Sequence, residues 1–165
     1  MTIKKLIEED IYDEEKYELL QKIPKVENGF INSGYGIKKE EFANWIVKMI
    51  RISKGEEYDN DNVIYCIYWI FENDNLIGIG KIRALTKEQI EQMGHIGYAI
   101  VKEHRGNGYG IQALKLLIHE AKYTHKIEKP IISIEKENIG SIKVAQKAGA
   151  VLDYIREDGV YRFYA

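Results

Sequence analysis

Between two apolar runs of this chain stands Arg105-Gly106-Asn107-Gly108-Tyr109-Gly110. Before it lies His95-Ile-Gly-Tyr-Ala-Ile-Val101, a β-branched run that predicts a strand. After it, Ile111, Leu114, Leu117, Ile118 and Ala121 recur at the spacing of an amphipathic helix. Glycines let the backbone turn tightly and leave no Cβ between it and a ligand. The first N–H groups of a helix have no intrahelical acceptor, and the helix dipole makes them a site for phosphate. Arg105 adds a cation able to pair with a phosphate oxygen. Strand, glycine turn and helix in that order predict pyrophosphate binding, with a plain flexible turn as the alternative. A Walker loop is excluded, because Gly-Tyr-Gly stands where Gly-Lys-Ser/Thr is needed. A dinucleotide fingerprint opens a long βαβ sheet, and here the chain ends at Ala165, too soon for one.

Outward from this turn, Val63-Ile-Tyr-Cys-Ile-Tyr-Trp-Ile-Phe71 reads as a strand covered on both faces. Glu72–Asn75 is a turn cluster, and Leu76–Ile82 is the return strand of a hairpin. Toward the N-terminus, Thr2–Ile7 is a weak strand, and Asp13-Glu14-Glu15 opens a short helix that Pro24 stops. Gly29–Gly36 reads as a loop, and Phe42, Trp45, Ile46 and Met49 predict an amphipathic helix from Lys38. Leu85–Gly94 predicts a short helical insert. Downstream come a strand at Pro130–Ile134, a helix over Ser141–Ala148 closed by Gly149, and a hairpin of Val151–Ile155 with Val160–Tyr164. The expected architecture is α/β, of the α+β kind: a mixed sheet with helices on its faces, in the order β-α-α-β-β-β-α-β-α-β-β. No repeat or linker divides it, so residues 1–165 are expected to form a single domain.

Composition narrows the classes further. Apolar residues make up 45% and charged residues 30%, the balance of a globular chain. A formal charge of -2 gives no footprint for a nucleic acid duplex. One cysteine, Cys66, precludes an intrachain disulfide, and with four scattered histidines it argues against a metal site. No apolar run reaches the ~18–20 residues that cross a bilayer, and the early acidic residues preclude a signal core. A cytoplasmic protein without membrane association is expected.

Arg105-x-x-Gly108-x-Gly110 resembles the acetyl-CoA pyrophosphate loop of the GNAT superfamily of N-acetyltransferases, Arg/Gln-x-x-Gly-x-Gly/Ala. Asn138-Ile-Gly-Ser141 followed by Lys147-Ala-Gly149 is similar to that family's second motif, and His95-Ile-Gly-Tyr98 to a bacterial subset of predicted acetyltransferases. The resemblance implies an enzyme that uses acetyl-CoA as co-substrate and acetylates a primary amine of a small molecule or protein, by direct attack in a ternary complex. It implies that Tyr98, Ala99 and Ile100 line the thioester, with backbone groups near Ile100 bonding the pantetheine and polarising the carbonyl. Arg105, Gly106, Asn107, Gly108, Tyr109 and Gly110 would hold the pyrophosphate, and Asn138 and Ser141 the pantetheine arm.

His95 is a candidate catalytic base, although strand alternation puts it on the face of Gly97 and Ala99, opposite Tyr98. The alternative is a histidine bonded to neighbouring backbone. Tyr98 competes, as an acid near the sulfur or as an aromatic wall. The family's usual thiolate-protonating tyrosine, seven residues after the motif asparagine, is replaced by Ala145. A non-catalytic acyl-CoA-binding module is therefore a second expectation, and a domain binding ATP or NAD phosphates a third. The aromatic residues Trp45, Trp69, Tyr65 and Tyr68 read as core, Glu8–Asp10 and Asp13–Glu15 as a solvated face, and Cys66 as an inert buried thiol. Monomer and homodimer are both compatible with the sequence.

Overall fold

Trp69 and Ile70 are neighbours in sequence, point to opposite faces of one strand, and are both completely buried. That strand, β4 (Ile64–Glu72), is the spine of the computed structural model, which describes residues 1–165. It pairs antiparallel with β1 (Thr2–Lys5) on one side and with β5 (Asn75–Ala84) on the other. β5 pairs in turn with β6 (Ile96–Ile100), giving the sheet order β1-β4-β5-β6. The β4–β5 turn works because Asn73 and Asp74 accept left-handed φ angles of 47° and 65°.

One face of this sheet is covered by α1 (Glu14–Lys22) and α2 (Phe42–Ser53), whose Leu20, Trp45 and Ile46 pack with Trp69 and Ile79. The other face is covered by α4 (Tyr109–Tyr123), where Leu114 and Leu117 meet Tyr68 and Ile82. The aromatic residues expected in the core are there. The acidic N-terminal face is only partly solvated: Asp10 is buried and accepts from Trp69 Nε1 at 2.8 Å and Lys16 Nζ at 2.5 Å. Asp13 caps α1 by accepting from the Lys16 N–H.

A second sheet holds β7 (Ile131–Ile134), β8 (Val151–Ile155) and β9 (Tyr161–Tyr164), in the order β7-β9-β8. Between β7 and β8 runs α5 (Ile139–Ala148), which starts earlier than periodicity suggested because Asn138 caps it, accepting from Ser141 N–H at 3.1 Å. One feature departs from the expected elements, and the helical insert forms where it was expected. The loop-like stretch near Gly29 contains a small hairpin, β2 (Val26–Glu27) and β3 (Phe30–Ile31), and the insert is the short helix α3 (Lys87–Gln92). The hairpin was illegible because two-residue strands carry no periodicity; tertiary contacts hold them. No helix of the molecule is long and apolar enough to cross a membrane.

The two sheets meet at one point. The His95 N–H donates to Ile131 O at 2.7 Å, and Ile131 N–H donates back to His95 Nδ1 at 3.0 Å. No strand ladder joins β6 to β7 beyond it, and the space between them opens into two cavities. The close approach needs a glycine: a Cβ on Gly94 would lie 2.7 Å from Ser133 N and 2.8 Å from Ile131 O, both backbone atoms that cannot swing aside. Gly94→Ala is therefore expected to cost about 1–3 kcal/mol, read as a lower urea midpoint with an unchanged slope. An unaltered midpoint would show that the joint tolerates separation.

Candidate active site

The turn at residues 105–110 folds as a row of bare amides. Gly106 and Gly108 take φ angles of 83° and 79°, the left-handed region that other L-residues avoid. Gly108 is the N-cap of α4. The N–H groups of Gly106, Asn107, Gly108, Tyr109 and Gly110 have no acceptor in the protein. They stand at the positive end of a fifteen-residue helix. A cleft of about 440 Å³ opens in front of them, lined by Tyr98, Ala99, Ile100, Arg105, Gly106, Gly108, Tyr109, Gly110, Asn138 and Ser141. Asn107 turns away, its Nδ2 reaching the carbonyls of His104 and Arg105.

Arg105 is already occupied. Its guanidinium grips Glu27 through both carboxylate oxygens, at 3.1 and 2.5 Å, and its Nε donates to Ile100 O at 2.7 Å. Glu27 thus holds the β2–β3 hairpin across the mouth of the cleft. Asn138 Nδ2 reaches Asn28 O from the other bank at 3.4 Å. Lys143 and Lys147, one turn apart on α5, edge the same cleft and add positive charge. Sequence reading missed them, although their i, i+4 spacing after Asn138 was a usable signal.

The register of β6 aims backbone groups at the gap. Arg83 N–H takes His95 O, and Val101 N–H takes Ile77 O, so alternate residues of β6 face β5. The groups of Tyr98 and Ile100 consequently turn the other way, into the gap. The Tyr98 side chain points toward α4 and α5. A Cβ on Gly110 would sit 3.8 Å from its hydroxyl, and Ser141 lines the same cleft. Burial pushes the phenol up to about 12, the Ser141 contact moderating the rise. Ala145 is completely buried in the cluster that Tyr98 packs against.

His95 lines neither cavity. Its Nδ1 is taken by the Ile131 N–H, which fixes the neutral tautomer with the proton on Nε2. Burial first, then the Arg162 and Arg83 guanidinium groups, lower its pKa to about 4. The strand face anticipated for it is the observed one, with Gly97 beside Arg83 and Phe30.

A second cavity of about 210 Å³ adjoins the cleft and shares Asn28, Tyr98, Asn138 and Ser141 with it. Its other walls include Arg83, Met93, Gly97, Ser133 and Glu135. The insert helix α3 is anchored here by Arg162, which donates to Met93 O, Ile90 O and Ser133 Oγ.

The sequence profile described as the Acetyltransferase (GNAT) domain matches residues 4–151. The chain belongs to the GNAT acetyltransferase family. It is 30% identical over 87 residues to the ribosomal-protein-serine acetyltransferase of Escherichia coli, covering 53% of this chain and 48% of that protein. It is 30% identical over 101 residues to the probable N-acetyltransferase YjcK of Bacillus subtilis, covering 60% and 51%. The chain thus matches about half the length of these curated relatives. Among solved structures, a ribosomal L7/L12 α-N-protein acetyltransferase in complex with coenzyme A superposes with a TM-score of 0.69 at 17% identity. That likeness spans 99% of this chain and 92% of that one, and it shows the shared fold.

The His95 contact makes stability depend on pH. The folded imidazole stays neutral where the unfolded one, near 6.5, takes up a proton. Its stabilisation is complete above about pH 6.5 and is lost as pH falls toward 4. Urea midpoints are expected to drop between about pH 6.5 and 5, above the range where most carboxylates titrate, and to drop less in His95→Gln. Equal slopes in the two proteins would remove His95 from the joint.

Proposed function

We propose that the protein transfers the acetyl group of acetyl-CoA to a primary amine by direct attack, with both substrates bound together. The observation that carries this is the cleft between β6 and β7, with five N–H groups lacking an acceptor at one end of it. A diphosphate supplies the charge and acceptors that those amides lack. Lys143 and Lys147 would meet further phosphate oxygens. Arg105 would exchange its Glu27 partner for a phosphate oxygen or hold the hairpin over the bound cofactor.

In this reading pantetheine lies along the gap against Ala99 and Ile100, with Asn138 and Ser141 on the opposite bank. The N–H of Tyr98 or Ile100 polarises the thioester carbonyl and receives the charge of the tetrahedral intermediate. No enzyme nucleophile is required: catalysis is positioning of the amine, removal of its proton, and protonation of the departing thiolate. We assign the last step to the Tyr98–Ser141 hydroxyl pair, which adjoins the gap where Ala145 offers no acid. His95, neutral and bonded through Nδ1, is assigned to the joint between the sheets and not to proton transfer.

Two measurements test this. Thermal shift with acetyl-CoA should exceed that with ATP, since only the former fills both the amide row and the gap; stabilisation by ATP alone would favour a nucleotide-binding domain. Thiol release from acetyl-CoA across a panel of amines separates an enzyme from a binding module, which would bind without turnover. Gly108→Asn probes the cradle itself, because asparagine tolerates a left-handed backbone and no protein atom lies within 4 Å of the added Cβ. Acetyl-CoA affinity should fall roughly tenfold or more, the loss of a charge-assisted hydrogen bond, with only a small change in melting temperature. Unchanged affinity would count against the cradle.

A further inference from the structure

The smaller cavity carries charges that the fold leaves unpaired. Arg83 projects from β5 under Gly97, where a Cβ would lie 3.2 Å from Nη2, so the absent side chain makes room for the guanidinium. Its one hydrogen bond is from Nη1 to Gly94 O at 3.1 Å, and no carboxylate lies within 4.0 Å. The Asp59 and Asp61 carboxylates act on it only from a distance. Beside it Lys81 is buried, its ammonium donating to Ile31 O at 2.7 Å and lying over the Phe30 and Tyr65 rings. Burial and the neighbouring Arg83 lower Lys81 to about 7. Arg83 is half-buried, and a guanidinium taken partly out of water with only a carbonyl as partner is costly; an anionic group delivered by a ligand would offset that cost.

The opposite wall carries the complementary charge. Glu135 follows directly after β7, at the open end of the split; it is exposed, its backbone carbonyl accepts from the Asn138 N–H, and its carboxylate has no partner in the protein. Its Oε1 is 3.6 Å from where a Gly29 Cβ would be. Arg83, whose backbone N–H bonds His95 O, lies toward the closed end. The thioester proposed above lies at the open end, beside Tyr98, Asn138 and Ser141, which line both cavities.

We infer that the acceptor is a small aminocarboxylate, bound with its carboxylate on Arg83 and its ammonium toward Glu135 at the thioester. This rests on the transfer reaction proposed above and deepens it. A cavity of about 210 Å³ accommodates a molecule of amino-acid size. The ammonium loses a proton to the Glu135 carboxylate, which returns it to solvent. The free amine nitrogen attacks the thioester carbonyl carbon; the C–N bond forms, the C–S bond breaks, and the thiolate takes a proton from the Tyr98–Ser141 pair, which the second proton lost by the new amide nitrogen restores. The products are the N-acetyl aminocarboxylate, coenzyme A as the thiol, and one proton.

The test uses the wild-type protein first, so that no variant need fold. Acetyl-CoA binding is established by calorimetry, which checks the transfer reading independently. Glycine, β-alanine, γ-aminobutyrate and lysine are then compared with their carboxamides, and with spermidine, in thiol release and in thermal shift of the coenzyme A complex. At least one free acid is expected to be used roughly tenfold or more better than its amide, the size of one charge-assisted contact. Arg83→Gln should raise KM for the acid to that of the amide while leaving acetyl-CoA affinity intact, and Arg83→Lys should recover part of the preference. Glu135→Gln should lower kcat at saturating acceptor. Equal use of acids and amides, preference for spermidine, retention of the preference in Arg83→Gln, or acetyl-CoA binding with no response to any aminocarboxylate would each overturn the inference.

Discussion

The two sheets of this protein are fastened at one end only. The paired bonds between His95 and Ile131 close the seam, and Gly94 lets the backbones come within contact distance. Beyond that point β6 and β7 lose each other as partners. Backbone groups left without a ladder must find other acceptors and donors or face solvent, so a half-open seam is also a row of unspent hydrogen-bonding capacity. On one face α4 packs against β6 and α5 against β7, so both banks of the seam are held by helices.

Electrostatics divides the resulting space into two kinds. At the mouth, the end of α4, Arg105 and the α5 lysines Lys143 and Lys147 concentrate positive charge around bare amides. Glu27 occupies Arg105 there and anchors a hairpin whose strands are too short to persist alone. Deeper in, the positive charge belongs to Lys81, Arg83 and Arg162, with their stems in the sheet and their heads among carbonyl oxygens. Burial keeps His95 neutral, and the Arg162 and Arg83 guanidinium groups, the second of which lines the small cavity, reinforce it.

Much of the scaffold was legible because its signals are local. The β4 run, the Asn73–Asp74 turn, the α4 periodicity and the glycine turn each depend on residues a few positions apart, and each folds as expected. The β2–β3 hairpin was not, since it exists through Glu27–Arg105 and Asn28–Asn138 contacts that span more than seventy residues. His95 illustrates the difference between residue type and circumstance. Its intrinsic acidity fits a base, yet its surroundings take Nδ1 as an acceptor and hold the ring neutral.

By itself the sequence determined which segments become strands and helices and where a glycine turn leads into a helix, because backbone periodicity and glycine geometry act within one turn or one strand. Only the tertiary structure decided that Arg105 holds Glu27, that His95 fastens the seam, and that Arg83 faces Glu135's cavity without a carboxylate partner. Those facts depend on burial and on distances between side chains remote in the chain, and no local pattern of residues encodes a distance.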